Sequence, residues 1–211
     1  MPQLVLASTS PARKKILTDA GIRFAVLHPG VNEEELVAVE RPATTEAMVQ
    51  LLAEAKASAG LQLWRESESA DDAFVLGCDS ALELGEESYG KPLLPELARQ
   101  RWRQLSGAEG WLMTGHSLIS VRTGERVNRV TKTLVRFQEI SETEISAYVA
   151  TREPLQVAGG FTIDGLGGAF IREIVGDYHT VVGLSLTALR DLSSELGISY
   201  HTLWDMPPVR Q

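Results

Sequence analysis

An α/β fold, with parallel and antiparallel strands in one sheet, follows from three features of this chain. Short apolar runs alternate with segments of helical periodicity, the pattern of strands joined by crossover helices. Two long strand-like segments flank Thr123-Gly124 in mid-sequence, which signals a hairpin and therefore antiparallel pairing. The 211 residues are 44% hydrophobic and 23% charged, enough apolar material to bury a core in one domain or two small lobes.

Taken in order, "LVLAS" (4–8) reads as a short buried strand. Ser10 suits a helix N-cap and Pro11 the first helical position. That helix extends to about Ala20, with Gly21 as its C-cap. "FAVLHP" (24–29) is a second strand, followed by an acidic loop, "VNEEE". Met48, Leu51, Leu52, Ala55 and Ala59 recur at helical spacing from Thr44 to about Ala59. "LWRESESADD" (63–72) is polar and reads as a surface loop, and "AFVLGCDSALEL" (73–84) as a buried strand. "LPELARQRWRQLSG" (94–107) forms a helix ending near Gly107. The hairpin pairs "WLMTGHSLISVR" with "RVNRVTKTLVRF". Ser141 and Glu144 form a capping box opening a helix to about Ala150. "EPLQVAGGFTIDGLGGAF" is Gly-rich and irregular, and "FIREIV" and "HTVVGLSL" are short apolar runs. A last helix over about 185–196 leads to a loose tail, "WDMPPVRQ". There is no repeat and no low-complexity tract.

The bulk numbers exclude several classes. A net charge of −8 argues against a large nucleic-acid footprint, which needs a basic face, but allows a small anion held by a local basic cluster. No stretch approaches the roughly 20 apolar residues that cross a bilayer. The N-terminus has no basic region followed by a long apolar run, so no signal peptide is expected. The single cysteine, Cys78, cannot form an intrachain disulfide, and a cytoplasmic protein is the expectation.

Five places could carry chemistry. At about 100° per residue, Arg13 falls on the apolar face of the first helix with Ile16, Leu17 and Ala20, while Lys14 and Lys15 point away. Arg13 then sits with serine hydroxyls and free backbone N–H groups at a strand-to-helix turn, the chemistry of a phosphate site; the alternative is an internal carboxylate partner. Asp79 lies where active-site groups gather in α/β proteins, and could ligate Mg²⁺, act as a general base toward water, or merely cap a turn. Lys91, held between Gly90 and Pro92, is a candidate phosphate contact or a plain turn lysine. Lys56, at the edge of an apolar stripe, reads as a lysine that snorkels to the surface. Glu33 could add a hard oxygen ligand for Mg²⁺, or belong to a solvated loop. Cys78 has no evident histidine partner and reads as a small buried residue. His28, His116, His179 and His201 show no zinc-ligand spacing, and neither a P-loop nor a "GxGxxG" follows the first strand.

Together these pieces resemble the Maf family of nucleoside triphosphate pyrophosphatases. "LASTSPARKKIL" resembles the family's opening "LAS-x-SPRR-x-x-L", "PGVNEE" its "P-x-x-DE", and "LAEAKA" its "A-x-x-KA". "GCDS" resembles "G-x-D-T/Q", "GKPL" matches outright, and the stretch from "REPLQVAGGF" to "VVGLSL" resembles the long C-terminal signature. The resemblance implies an elongated mixed sheet flanked by helices, as a single domain over 1–211 with two lobes around a cleft, similar to the inosine triphosphate pyrophosphatase fold. It implies hydrolysis between the α and β phosphates of a non-standard or modified nucleotide, with Mg²⁺ or Mn²⁺. It implies Asp79 as the catalytic and metal-binding aspartate, Glu33 as a second metal ligand, and Ser8, Arg13, Lys56 and Lys91 as substrate contacts. A homodimer is also implied. Ala12 stands where the family's opening has arginine, and Asn32 where it has aspartate. Val157 and Asp164 replace the Lys and Gln of the branch that takes dTTP and UTP, and "VAGGF" is nearer the "CAGSF" of the branch associated with 7-methylguanosine triphosphate. The preferred base therefore stays open. The other reading is a nucleotide-binding regulator of cell division with little turnover.

Overall fold

The computed structural model describes residues 3–67 and 73–205. One seven-stranded sheet runs through them, in the order β2-β1-β3-β5-β6-β7, with β4 alongside β3. The strands are β1 (Gln3–Ala7), β2 (Phe24–Leu27), β3 (Ala73–Leu84), β4 (Glu87–Tyr89), β5 (Glu109–Ser120), β6 (Arg126–Phe137) and β7 (Ile171–Val175). The helices are α1 (Pro11–Asp19), α2 (Glu33–Glu40), α3 (Thr45–Glu66), α4 (Pro95–Leu105), α5 (Glu142–Ala150), α6 (Tyr178–Val182) and α7 (Leu186–Glu195). β1 pairs parallel with both β2 and β3, and every other pairing is antiparallel, so the expected mixed sheet is present.

Two apolar cores sit at the two ends of the long strands. Leu4, Leu6, Leu76 and Leu118 pack with Ile16, Leu17, Leu189 and Leu192 in the first. The second holds Leu82, Leu112, Phe137 and Leu155 around Trp102, whose indole meets the rings of Phe137, Tyr148 and Phe170 edge-on. Between the cores β3 and β5 turn polar, at Asp79, Ser80 and Thr114. The edge of β3 is also open there. β1 ends opposite Gly77, and β4 begins pairing only at Leu82. Among the described residues, 78–81 thus have no strand neighbour on that side, just beyond the C-terminal end of parallel β1. That is where ligands bind in α/β sheets.

Strand alternation divides β3 between two partners. Phe74, Leu76 and Cys78 face the first core, while Val75, Gly77, Asp79 and Ala81 face α3. Glycines set how closely α3 approaches. A Cβ on Gly77 would lie 2.2 Å from the Ala53 carbonyl oxygen and 2.5 Å from the Ala57 nitrogen. A Cβ on Gly115 would lie 2.4 Å from the Val49 carbonyl oxygen. Gly115, which carries no pattern in sequence, therefore has a packing role.

Several sequence expectations are corrected. The acidic "VNEEE" is not a loop: Glu33 begins α2, because Asn32 caps it by accepting from the Glu35 N–H at 3.3 Å. Residues 63–66 of the expected surface loop continue α3, where buried Trp64 packs with Val5 and Val75. The rest of that loop at 68–72, and the tail from 206, lie outside the described residues. β4 and α6 were too short to show a period. Gly21 lies one residue beyond the C-cap of α1, Ala20, with φ +66°.

A Gly77→Ala chain is expected to lose 1–3 kcal/mol or more, about the cost of overpacking against backbone. Urea denaturation measures this, and an unchanged midpoint would mean α3 can move away from β3 freely.

Candidate active site

β1 delivers Ser8 to the open edge, where its N–H is held by the Leu27 carbonyl at 3.0 Å. The chain then turns into α1, capped by the Ser10 hydroxyl, which accepts from the Arg13 N–H at 3.4 Å. Ser8 Oγ accepts from the Ser10 N–H at 3.1 Å and from the Arg13 guanidinium at 3.3 Å. Arg13 is buried (8% exposed) and also donates to Ser80 Oγ at 3.0 Å and to the Gly183 carbonyl at 2.7 Å. These three partners are neutral, so none of these bonds goes to a carboxylate, and two N–H donors of the guanidinium stay in reserve. Lys14 and Lys15 do face outward, and Lys15 pairs with Asp19 at 2.5 Å on the surface of α1.

α3 supplies Lys56. It does not snorkel. Its ammonium is buried and bridges Asp79 at 2.6 Å and Glu33 at 2.7 Å, joining α3, β3 and α2 at one point. Asp79 and Ser80 are adjacent on β3 and so point to opposite faces, Asp79 to Lys56 and Ser80 to Arg13. Burial pushes the Asp79 carboxyl above the usual range, and the attraction of Lys56 and Arg13 does not cancel it. Glu33 is less buried, and there Lys56, Lys91 and Arg13 outweigh desolvation and hold it below the usual range. Lys91 is exposed at the rim. Ser8, Arg13, Glu33, Lys56, Asp79 and Lys91 all line a single open cleft of about 240 Å³. Val157 and Asp164 line its far side.

A layer behind the cleft was not visible in sequence. Ser80 Oγ meets Thr114 Oγ1 at 2.9 Å, and Thr114 donates to the Thr180 carbonyl at 2.8 Å. His116 is fully buried and accepts the Ser185 N–H at Nε2, 2.9 Å, which leaves Nδ1–H to donate to the Arg129 carbonyl at 3.2 Å. It fixes the chain two residues from the Gly183 carbonyl that holds Arg13. Glu153 gathers the 162–167 loop, accepting from Tyr148 Oη, the Thr162 hydroxyl and the N–H groups of Leu166 and Gly167. Only strand alternation, which puts Thr114 and His116 on one face of β5, offered a hint. Cys78 is buried, and burial raises its thiol to about 11, so it is no nucleophile at neutral pH.

Among the described residues no three of His, Cys, Asp and Glu cluster as a complete metal cage. Glu33 and Asp79 remain a two-carboxylate donor set, which suits a Mg²⁺ ion completed by phosphate oxygens and water.

The open edge, the helix turn and the convergent cations define an α/β protein with a cleft suited to a polyanion. A family model described as Maf-like protein matches residues 3–196. A nucleoside triphosphate pyrophosphatase of Saccharopolyspora erythraea is 45% identical over 99% of this chain and 100% of its own length. Proteins of the same name from Salinispora tropica and Leifsonia xyli are 47% and 46% identical, over 96% and 98% of this chain and 87% and 99% of theirs. The chain belongs to the Maf-like protein family. Among solved structures, a nucleoside-triphosphatase / dITP/XTP pyrophosphatase of Mycobacterium abscessus overlaps 65% of this chain and 75% of its own, at 13% identity and a TM-score of 0.33, too slight an overlap to carry an argument.

His116 gives a pH prediction. Burial, aided by Arg13, holds its folded pKa down to about 4 against an ordinary 6.5, so only the unfolded chain takes up the proton as pH falls between those values. Stability from this group is present above pH 6.5 and lost on acidification, by about 2 kcal/mol between pH 7 and pH 5. Urea titrations at both pH values should show a smaller loss in His116→Gln; the same loss in both chains would sink this assignment.

Proposed function

We propose that this chain is a nucleoside triphosphate pyrophosphatase, cutting the α–β phosphoanhydride bond to give nucleoside monophosphate and pyrophosphate. The observation that carries the reading is the convergence of Arg13, Lys56 and Lys91 with Asp79 over the open segment of β3. The shared name of its relatives supports it. Substrates are non-standard or modified nucleotides, with the base held against the Val157–Asp164 side of the cleft. Nothing in the site favours a regulator without turnover, because Asp79 and both lysines are in place.

Arg13 and Lys91 bind the triphosphate, Arg13 through its two spare N–H groups and Lys91 as a mobile point charge. Ser8 orients Arg13 and shares the strand-to-helix turn with the phosphates. Asp79, kept basic by burial, takes the proton of the attacking water as the bond to phosphorus forms and the bridging oxygen leaves with pyrophosphate. Lys56 holds that carboxylate in place and steadies the charge that builds on the phosphoryl oxygens. Three cations (Arg13, Lys56, Lys91) face three carboxylates (Glu33, Asp79, Asp164) in the cleft, so the protein alone does not offset a triphosphate. That shortfall, with the two-carboxylate donor set, supports a divalent cation, Mg²⁺ or Mn²⁺, held by Glu33 and Asp79. When bound, it would neutralise charge on the phosphates and acidify water. A cytoplasmic enzyme working as a homodimer without nucleic acid completes the proposal; no helix among the described residues is long and apolar enough to cross a membrane.

Ion chromatography of products from a nucleoside triphosphate panel with Mg²⁺ or Mn²⁺ tests the reaction. Asp79→Asn should abolish turnover while nucleotide affinity stays within about tenfold, since the carboxylate acts mainly in the chemical step. Turnover undiminished in that variant, or orthophosphate as the wild-type product, contradicts the assignment. Lys91→Ala should lower kcat/KM about tenfold, the loss of one charged hydrogen bond. Unchanged kinetics would make Lys91 a turn residue only.

A further inference from the structure

Arg101 lies outside the cleft, on α4, and neither its motif nor the site assigns it a role. Its surroundings are unusual for a helix arginine. The guanidinium lies over the Tyr89 ring, 4.5 Å from the centroid, and donates to the Gly90 carbonyl at 2.6 Å. Its Nε is buried with no hydrogen-bond partner, and desolvation lowers the pKa of the group. A half-buried guanidinium with an unmet N–H costs stability, and an aliphatic side chain could fill the same space without that cost. The carbonyl of Gly90 is what an aliphatic residue would leave without this donor.

Gly90 immediately precedes Lys91. Its carbonyl also accepts the Gly159 N–H at 3.2 Å, so one oxygen ties the lysine turn both to α4 and to the loop lining the far side of the cleft. Neighbouring contacts hold the same junction. Trp102, next to Arg101 on α4, donates to the Gly160 carbonyl at 2.8 Å. The Leu93 N–H reaches the Leu155 carbonyl at 2.9 Å, and Leu93 itself sits at φ +62°. A leucine in that left-handed conformation requires the surrounding structure to hold it. Among the described residues Lys91 itself makes no hydrogen bond or ion pair, so its placement follows from its neighbours, Gly90 on one side and Pro92 and Leu93 on the other.

We propose that Arg101 is a positioning residue: by holding the Gly90 carbonyl it fixes the backbone from which Lys91 reaches the triphosphate, and locks that turn to the 157–164 loop. This rests on the reading of Lys91 as a triphosphate contact. Lysine is a flexible point charge, so a fixed backbone decides whether its ammonium meets the phosphate or samples solvent.

A double-mutant cycle over Arg101→Ala and Lys91→Ala tests this, read both as kcat/KM and as affinity for an α,β-methylene nucleoside triphosphate. Arg101→Ala should cost about fivefold to tenfold with Lys91 present and less than about twofold in the Lys91→Ala chain, because the two act through one contact. Arg101→Lys, which still donates to Gly90, should recover most of the loss. Thermal melting monitors folding, and its shift should be the same in both backgrounds, unlike the kinetic effect. Equal losses in the two backgrounds, or Arg101→Ala matching wild type, would overturn the proposal and leave the pyrophosphatase reading intact. If Lys91→Ala alone has no effect, the reading of Lys91 and this inference fall together. If the wild type binds but does not cleave, the hydrolase reading fails and the affinity cycle still decides the role of Arg101.

Discussion

An ammonium group buried between two carboxylates organises this molecule. Lys56 can lose its water because Asp79 and Glu33 replace it, and buried Asp79 in turn has Lys56 as its ion-pair partner. The three side chains come from a helix, a strand and a second helix, so the contact ties α3 to the sheet and α2 to both. It needs α3 to lie almost on the backbone of β3. Gly77 and Gly115 permit that approach, and no other residue type would. The site and the packing are therefore one constraint: what lets the helix in also lets the charge in.

The sheet supplies the opening. Two apolar cores hold the ends of β3 and β5, and the middle of each strand is left to polar side chains. β1 stops short and β4 starts late, which leaves four residues of β3 without a strand neighbour on that edge among the described residues. Strand alternation then sends Asp79 and Ser80 to different cations. Arg13 is held by hydroxyls and a carbonyl, so its spare N–H groups are free for a ligand; Lys56 is held by carboxylates, so it first orders Glu33 and Asp79. Two basic residues in one cleft thus have different partners, and the difference in their roles lies in the partners each is given. Behind them, His116 and Thr114 brace the segment around Gly183 with neutral hydrogen bonds, which add rigidity without adding charge to the cleft.

Much of this was legible in the residues. β3 stands where its apolar run places it and β6 where the hairpin signal does, and the capping box at Ser141 opens α5 as read. The helical face of α1 already aimed Arg13 inward. The misses share a cause, the weakness of local signals in short or tertiary-determined segments. Three glutamates in a row look like solvent-exposed loop, yet at a helix N-terminus they are favoured by the dipole, and Asn32 capped them. The end of α3 is polar in sequence, but Trp64 finds Val5 and Val75 only in three dimensions. Lys56 looked like a snorkelling lysine because its carboxylate partners are far away in the chain. His116 and Arg101 belong to no pattern, and their roles come wholly from which carbonyls and amides the fold brings to them.

A crystal structure with an α,β-methylene nucleoside triphosphate and Mg²⁺ tests the central claim most directly. The phosphates should lie over residues 78–81, with Arg13 and Lys91 within hydrogen-bond distance and Glu33 and Asp79 facing the metal. Phosphates bound elsewhere, with Arg13 still shared among Ser8, Ser80 and Gly183 and Lys91 in solvent, would show that the open edge of β3 is not the place where this protein holds its substrate.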